Sequence, residues 1–227
     1  MQPYFLPYIG YFQLIAATDR FIIYDNIKYT KKGWINRNRF LLNDKDVTFS
    51  IPLNKDSDFL DVRDRCISSE YQRDKLIRQL QAAYRRAPQF DSVFPELAII
   101  INYGSNNLFE YIRHSVERLC RLLCIETKFI ISSDVPIDHN LKKQAKVLAL
   151  CTWLGASQYI NTISGAELYS REQFQAAGID LRFIKTRPII YPQFGNIFIE
   201  NLSVIDVLMF NPLDQVKQWA RFNYDLI

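Results

Sequence analysis

Two prolines within the first seven residues constrain this chain more than any other feature. In Met1-Gln-Pro-Tyr-Phe-Leu-Pro-Tyr-Ile-Gly-Tyr-Phe12, Pro3 and Pro7 bar a regular helix or a central strand before Gly10, while Tyr11, Phe12, Leu14 and Ile15 carry the apolar spacing of a short helix. The segment reads as an ordered loop feeding a helix N-terminus. The unpaired N–H groups of such a terminus favour an anion, and a loop stiffened by Pro3 and Pro7 loses little entropy when it closes on one. Gln2, Tyr4, Pro7 and the amides near Gly10 are therefore a candidate phosphate or carboxylate cradle. The plainer alternative is a capped loop packed on the core.

The run Phe21-Ile-Ile-Tyr24 suits a buried strand, and a polar cluster begins at its carboxyl end with Asp25, continuing through Lys28, Lys31 and Lys32 to Gly33-Trp-Ile-Asn-Arg-Asn-Arg39. In open α/β sheets ligands bind at that end. Arg37 is suited to fork onto a phosphate or carboxylate and Trp34 to stack on a base or sugar ring, with Asn36 and Asn38 fixing orientation and Lys28 and Lys32 adding charge. A solvated hairpin is the competing reading, since charge runs usually mark solvated faces.

Downstream, Val47 to Ile51 alternates as a strand and stops at Pro52. A helix is expected from Ser69, with Gln72 reaching back, to the Ala87-Pro88 stop. Phe90 to Ile101 reads as a loop and a short apolar helix. Asn107 and Glu110 resemble a cap for a helix whose stripe is Leu108, Ile112, Val116, Leu119 and Leu123, which leaves His114 on a solvated, charged face. A strand over Lys128 to Ser132 precedes a helix expected from Asn140, after His139, to Leu154, closed by Gly155. A short strand then ends at Asn161. A Ser164-Gly165 turn and Tyr169 follow, and Ser170 with Gln173 caps a helix stopping at Gly178. Ile179 to Ile184 is a further strand, Tyr191-Pro-Gln193 is extended, and Leu202 to Phe210 is a short buried helix. Asp206 inside that apolar run needs a partner, because an ionised carboxylate out of water is costly; bracing a neighbouring loop is its expected role.

Strands alternating with helices give an α/β fold, a mostly parallel sheet flanked by helices with a helical insertion. At 227 residues and 48% apolar content, one domain over 1–227 is expected, with a helical subdomain at about 68–125. Net charge of only +4 argues against an obligate nucleic-acid binder. Cys66, Cys120, Cys124 and Cys151 include no C-x-x-C pair, and two histidines offer no convincing company for a protein metal site. The chain opens on no basic-then-apolar leader and has no run long enough to span a bilayer, so a cytoplasmic location is expected. Neither a cofactor nor an oligomeric state is legible.

The segments Gln2 to Ile15, Gly33-Trp-Ile-Asn-Arg-Asn38, Tyr159-Ile-Asn161 through Ser164-Gly165 to Leu168-Tyr169, Tyr191 with Gln193, and Leu202-Ser-Val-Ile-Asp206 resemble, in order, those of the WbqC-like family of bacterial proteins. Family members commonly carry a few apolar residues before the Gln-Pro-Tyr segment, so the resemblance implies a first strand absent here and Met1 as a candidate internal methionine. It also implies a setting in O-antigen and other surface-polysaccharide gene clusters, where acyl or aminoacyl transfer to a nucleotide-linked amino sugar fits. The proline-bearing loop, glycine and helix are similar to the nucleotidylyltransferase type of α/β fold. Those enzymes place a histidine pair around the glycine, whereas Tyr8 and Tyr11 flank Gly10, so that chemistry does not carry over.

The leading expectation is a transferase on a sugar nucleotide, an anionic small-molecule partner, working by positioning and charge stabilisation. In that scheme Asp25 is the candidate base and Tyr11 the second catalytic candidate. Gln2, Tyr4, Pro7 and Gly10 hold one anionic group, and Lys28, Lys32 and Arg37 another, with Trp34 stacking on a ring and Asn36 orienting it. Asn161, Ser164, Gly165, Tyr169 and Gln193 complete the far wall. A non-catalytic sugar-nucleotide or carrier binder is the alternative. Single-stranded nucleic-acid binding through Tyr29, Trp34 and their cations is a third.

Overall fold

The computed structural model describes residues 1–195 and 197–227. The opening loop is fastened through its backbone. Phe5 donates to Ile35 O at 3.0 Å, Leu6 O accepts from Asn38 Nδ2 and from Ser203 Oγ, both at 2.7 Å, and Pro7 O accepts from Val204 N–H at 2.9 Å. Leu6 is held at φ 46°, a left-handed conformation that these bonds and its complete burial enforce. Helix α1 (Ile9–Ala16) follows, buried almost all round. Its one polar core residue, Gln13, is satisfied on both sides: it donates to Trp219 O and Asn223 O at 3.0 Å and accepts from the Thr186 hydroxyl at 2.6 Å. A Cβ at Gly10 would lie 2.3 Å from the Tyr8 ring, so any larger residue there must displace that ring.

Three short sheets replace the single, mostly parallel one expected. Strand β1 (Arg20–Ile23) pairs in parallel with β4 (Lys128–Ile131). Strands β2 (Arg37–Leu42) and β3 (Lys45–Ser50) form an antiparallel hairpin. Strand β5 (Gln158–Thr162) runs parallel to β6 (Asp180–Thr186), whose other edge takes β7 (Tyr224–Leu226) antiparallel. The class is mixed α/β. What divides the sheet is a groove between β1 and β5, whose facing edges do not pair.

Helices α2 (Arg73–Tyr84), α3 (Phe90–Ile101) and α4 (Leu108–Leu122) add their apolar faces to the main core, Leu80, Leu97 and Ile112 being fully buried. Helices α7 (Val204–Phe210) and α8 (Leu213–Phe222) close the same core, and α7 touches β2 and α3. A smaller core, from α5 (Lys143–Leu154), α6 (Arg171–Ala176) and β6, is built on Val147, Cys151, Phe174 and Phe183. Helix α2 begins at Arg73, not at Ser69, and has no side-chain cap; the residues before it form a turn in which Tyr71 N–H donates to Ser68 O at 3.0 Å and Glu70 N–H to Ser68 Oγ at 3.2 Å. Helix α5 starts three residues later than expected, at Lys143. His114 is half-buried and stacks on the Tyr103 ring at 3.9 Å, so its face is not the solvated one expected. Among the described residues no helix is long and apolar enough to cross a membrane.

Candidate functional site

The groove between β1 and β5 is a cavity of about 790 Å³. Its two ends differ. At the amino ends of the strands it is walled by Leu14, Ala17 and Leu154, with Arg20 reaching across to Leu154 O at 3.3 Å. At the carboxyl ends the opening loop supplies Gln2 and Tyr4, β1 leads into Tyr24, and the turn after β5 supplies Asn161, Ser164, Gly165 and Tyr169. The opening loop and the Asn161-to-Tyr169 turn thus face one cavity, as a strand-end pocket requires.

Each polar group here is held in place. Gln2 Oε1 accepts from the Tyr4 hydroxyl at 3.1 Å, and Gln2 O from the buried Tyr11 hydroxyl at 2.9 Å. Asn161 Nδ2 donates to the Tyr159 and Tyr169 hydroxyls, both at 3.0 Å, while its Oδ1 accepts from Thr162 N–H at 2.7 Å. Ser164 and Thr162 share a hydroxyl pair at 3.0 Å. Burial raises the Tyr4, Tyr24 and Tyr159 phenols above their ordinary range, so they are neutral donors and acceptors at pH 7 and not bases.

Behind Tyr24 lies a charged cluster. Lys146, 8% exposed, donates to Asn26 Oδ1 at 3.1 Å and lies 5.3 Å from the centre of the Tyr24 ring. Burial lowers its pKa, opposed by Asp61 and Asp25. Asn26 Nδ2 also meets His139 Nδ1 at 3.0 Å. Asp25 is buried; its carboxylate accepts Ser133 N–H at 2.9 Å and faces Arg63 at 3.7 Å, which ties the end of β1 to the turn after β4. Lys146 and Asn26 escaped the sequence reading. The available signal was a lysine in register with the apolar stripe Val147, Leu150 and Cys151 of α5.

The remaining expected residues do not line this cavity. Pro7, Gly10 and Tyr11 shape the loop and helix beneath it. Lys28 lies over the Phe59 ring at 4.5 Å and Lys32 is exposed. Trp34, 43% exposed, is flanked by the Arg37 and Arg39 guanidinium groups at 5.2 and 5.8 Å, and Arg37 donates to Lys32 O. Asn36 braces the chain, accepting from the Tyr29 hydroxyl at 2.8 Å and donating to Ile51 O at 2.7 Å. Gln193 and Asp206 form a separate cluster: the fully buried Asp206 carboxylate accepts from Tyr84 OH at 2.8 Å and from Tyr191 OH and Gln193 Nε2 at 2.7 Å. Burial raises its pKa against the lowering effect of these donors. Among the described residues no three His, Cys, Asp or Glu side chains gather as a metal site, and the four cysteines are free.

Along its whole length the chain is similar to a Mycobacterium tuberculosis (strain ATCC 25618 / H37Rv) protein described as uncharacterized protein Rv1507c. The two are 27% identical over 225 residues, covering 98% of this chain and 96% of that protein. No solved structure matches. Residues 2–218, which include the opening loop, the Asn161 turn and the Asp206 cluster, match the WbqC-like protein family, and the chain belongs to that family.

Proposed function

We propose that this protein is a transferase of surface-polysaccharide biosynthesis that acts on a nucleotide-linked amino sugar by acyl or aminoacyl transfer. The observation that carries the reading is the carboxyl end of the groove. Gln2 and Tyr4 on one wall and Asn161, Ser164 and Tyr169 on the other present neutral amide and hydroxyl groups, interleaved with aromatic rings, to one cavity. Fixed neutral donors and acceptors with ring faces between them complement sugar hydroxyls, and a cavity of this size admits a sugar nucleotide. Lys146, 5.3 Å from the centre of the Tyr24 ring, is the cation that this reading assigns to a phosphate. Transfer then rests on positioning: the sugar amine attacks the acyl carbonyl, the acyl–carrier bond breaks as the amide forms, and the amine proton leaves with the carrier, while Asp25 holds the strand end that carries Tyr24.

A non-catalytic sugar-nucleotide binder is the second reading, favoured by one observation: none of the side chains at the carboxyl end of the cavity is a carboxylate or a histidine. A thermal-shift panel of nucleotide sugars, nucleoside triphosphates and acyl carriers tests both. A ligand at a hundred times its Kd adds ~2.7 kcal/mol to stability. Nucleotide sugars should give such a shift, and Asn161→Ala should weaken it by at least about tenfold, or ~1.4 kcal/mol. With a hit in hand, turnover separates the readings: a transferase consumes the nucleotide sugar when an acyl donor is added, and a binder leaves it unchanged. Silence across the panel refutes both.

A further inference from the structure

The basic segment that the cavity does not absorb forms a surface of its own beside it. Between Asp25 and Asp44 the chain carries Lys28, Lys31, Lys32, Arg37 and Arg39 and no acidic residue. Lys31 pairs with Asp58 at 2.7 Å and Arg39 with Asp46 at 2.9 Å. Among the described residues, Lys28, Lys32 and Arg37 make no ion pair. Two aromatic rings stand among these cations: Phe59, 82% exposed, under the Lys28 ammonium, and Trp34 beside the Arg37 and Arg39 guanidinium groups. Trp and Arg are the residue types that most often carry binding energy at protein interfaces.

The backbone beneath this surface is fixed. Tyr29 N–H donates to Leu60 O at 3.1 Å and the Tyr29 hydroxyl to Asn36 Oδ1 at 2.8 Å, which ties the segment to the Phe59 loop and its two halves to each other. Gly33 N–H closes the turn between them on Thr30 O at 2.9 Å. Arg37 and Arg39 share one face of the hairpin with Ser50 and Thr48, their partners in register. A surface ordered before binding loses little entropy when a partner arrives. It also adjoins the cavity: Ile27, next to Lys28, lines the groove, and Ile35, next to Trp34, accepts Phe5 N–H at 3.0 Å from the opening loop that carries Gln2 and Tyr4.

We propose that this surface docks an acidic carrier protein, which delivers the acyl donor as a thioester on a flexible arm. The inference rests on the transferase reading, in which an activated acyl group must reach the carboxyl end of the groove. Lys28, Lys32 and Arg37 meet carboxylates of the carrier, Trp34 and Phe59 meet its apolar side chains, and the arm enters beside Ile27. The sugar amine forms the C–N bond as the C–S bond breaks, and the amine proton leaves on the carrier thiol. A polynucleotide is the other partner that cations and rings suit. The carboxylates within the patch favour a protein: a carrier can set its acids against the three unpaired cations alone, whereas a phosphate backbone is charged at every nucleotide and would also meet the exposed Asp46, Asp56 and Asp58.

Fluorescence anisotropy with a bacterial holo-acyl carrier protein, labelled at its amino terminus, tests the docking. The 227-residue chain should bind it with an affinity that falls as salt rises. Lys28→Glu combined with Lys32→Glu, and separately Trp34→Ala, should each weaken binding by at least about tenfold. All three side chains are exposed, and the thermal shift given by a nucleotide sugar, which reads the groove, should stay as it is in both variants. Carrier binding without a shift from any nucleotide sugar supports the docking surface while refuting the sugar ligand. A sugar shift without carrier binding keeps the groove reading and overturns the surface. Carrier binding that survives the charge reversals unchanged, or a short oligothymidylate that binds the surface more tightly than the carrier, also overturns the proposal.

Discussion

Asp206→Ala should be among the most damaging single substitutions outside the apolar core. The Asp206 carboxylate takes three hydrogen bonds of 2.7–2.8 Å, and one donor, Tyr84 OH, also accepts Leu41 N–H at 2.9 Å. Through that hydroxyl the carboxylate links α7, α2 and β2, and through Tyr191 and Gln193 it holds the segment before α7. Bonds to a charged acceptor contribute ~1.5–3 kcal/mol each, for a gross of about 5–9 kcal/mol. Removing the carboxylate also removes its desolvation cost, which is large enough to raise its pKa, so a net loss of about 3–5 kcal/mol is expected. For a chain of this length that is roughly 10 °C in Tm, read equally well as a lower urea midpoint with an unchanged slope. Asp206→Asn keeps one acceptor but leaves the Tyr84 proton without a partner, and should cost about 1–2 kcal/mol. Because Tyr84→Phe removes part of the same network, its effect and that of Asp206→Ala should combine to less than their sum. An Asp206→Ala loss below about 1 kcal/mol, or strict additivity with Tyr84→Phe, refutes the bracing role.

The Met1 nitrogen supplies a pH dependence: burial, with Lys146 nearby, lowers its pKa from 8.0 to about 5. The unfolded chain therefore binds more protons between those values, so the folded state carries its full penalty below about pH 5 and sheds it as pH rises towards 8, by at most about 4 kcal/mol. Chemical denaturation at pH 5 and pH 8 should show this gain in the 227-residue chain and a smaller one after N-terminal acetylation, which leaves the Met1 nitrogen an uncharged amide; parallel profiles contradict it. Tyr169→Phe deletes one acceptor of Asn161 Nδ2 and should cost about 1 kcal/mol of stability by denaturant titration, while lowering sugar-nucleotide affinity in calorimetry. Unchanged affinity would remove that hydroxyl from the site.

Local signals were legible where one residue settles the backbone. Asn107 accepts Glu110 N–H at 3.0 Å, Ser170 accepts Gln173 N–H at 3.3 Å, and Gly155 closes α5 at φ 61°, each where capping chemistry places it. Leu108, Ile112, Val116, Leu119 and Leu123 are all buried as their spacing requires. The hairpin of β2 and β3 went unread, although Asn43 and Asp44 at φ 51° and 59° are a two-residue turn of the residue types that tolerate that conformation. Helix α8 has no counterpart in the sequence expectations either, although Pro212 stands at its N-cap. Gln2, Tyr4 and the Asn161 turn do line one cavity, as their places at strand ends suggest. Trp34 and Arg37 are equally suited to a ligand by type but pair with one another on an exposed surface, and sequence spacing does not report which way such a segment faces. The division of the sheet was not legible either, because sequence spacing does not report which strand edges pair.

Amide hydrogen exchange with a saturating nucleotide sugar from the thermal-shift panel tests the central claim, that ligand enters at the carboxyl end of the β1–β5 groove. Slowed exchange at residues 1–4 and 158–169, with residues 28–39 unaffected, is the predicted footprint. Protection confined to 28–39 would move recognition to the Trp34 surface and contradict the account.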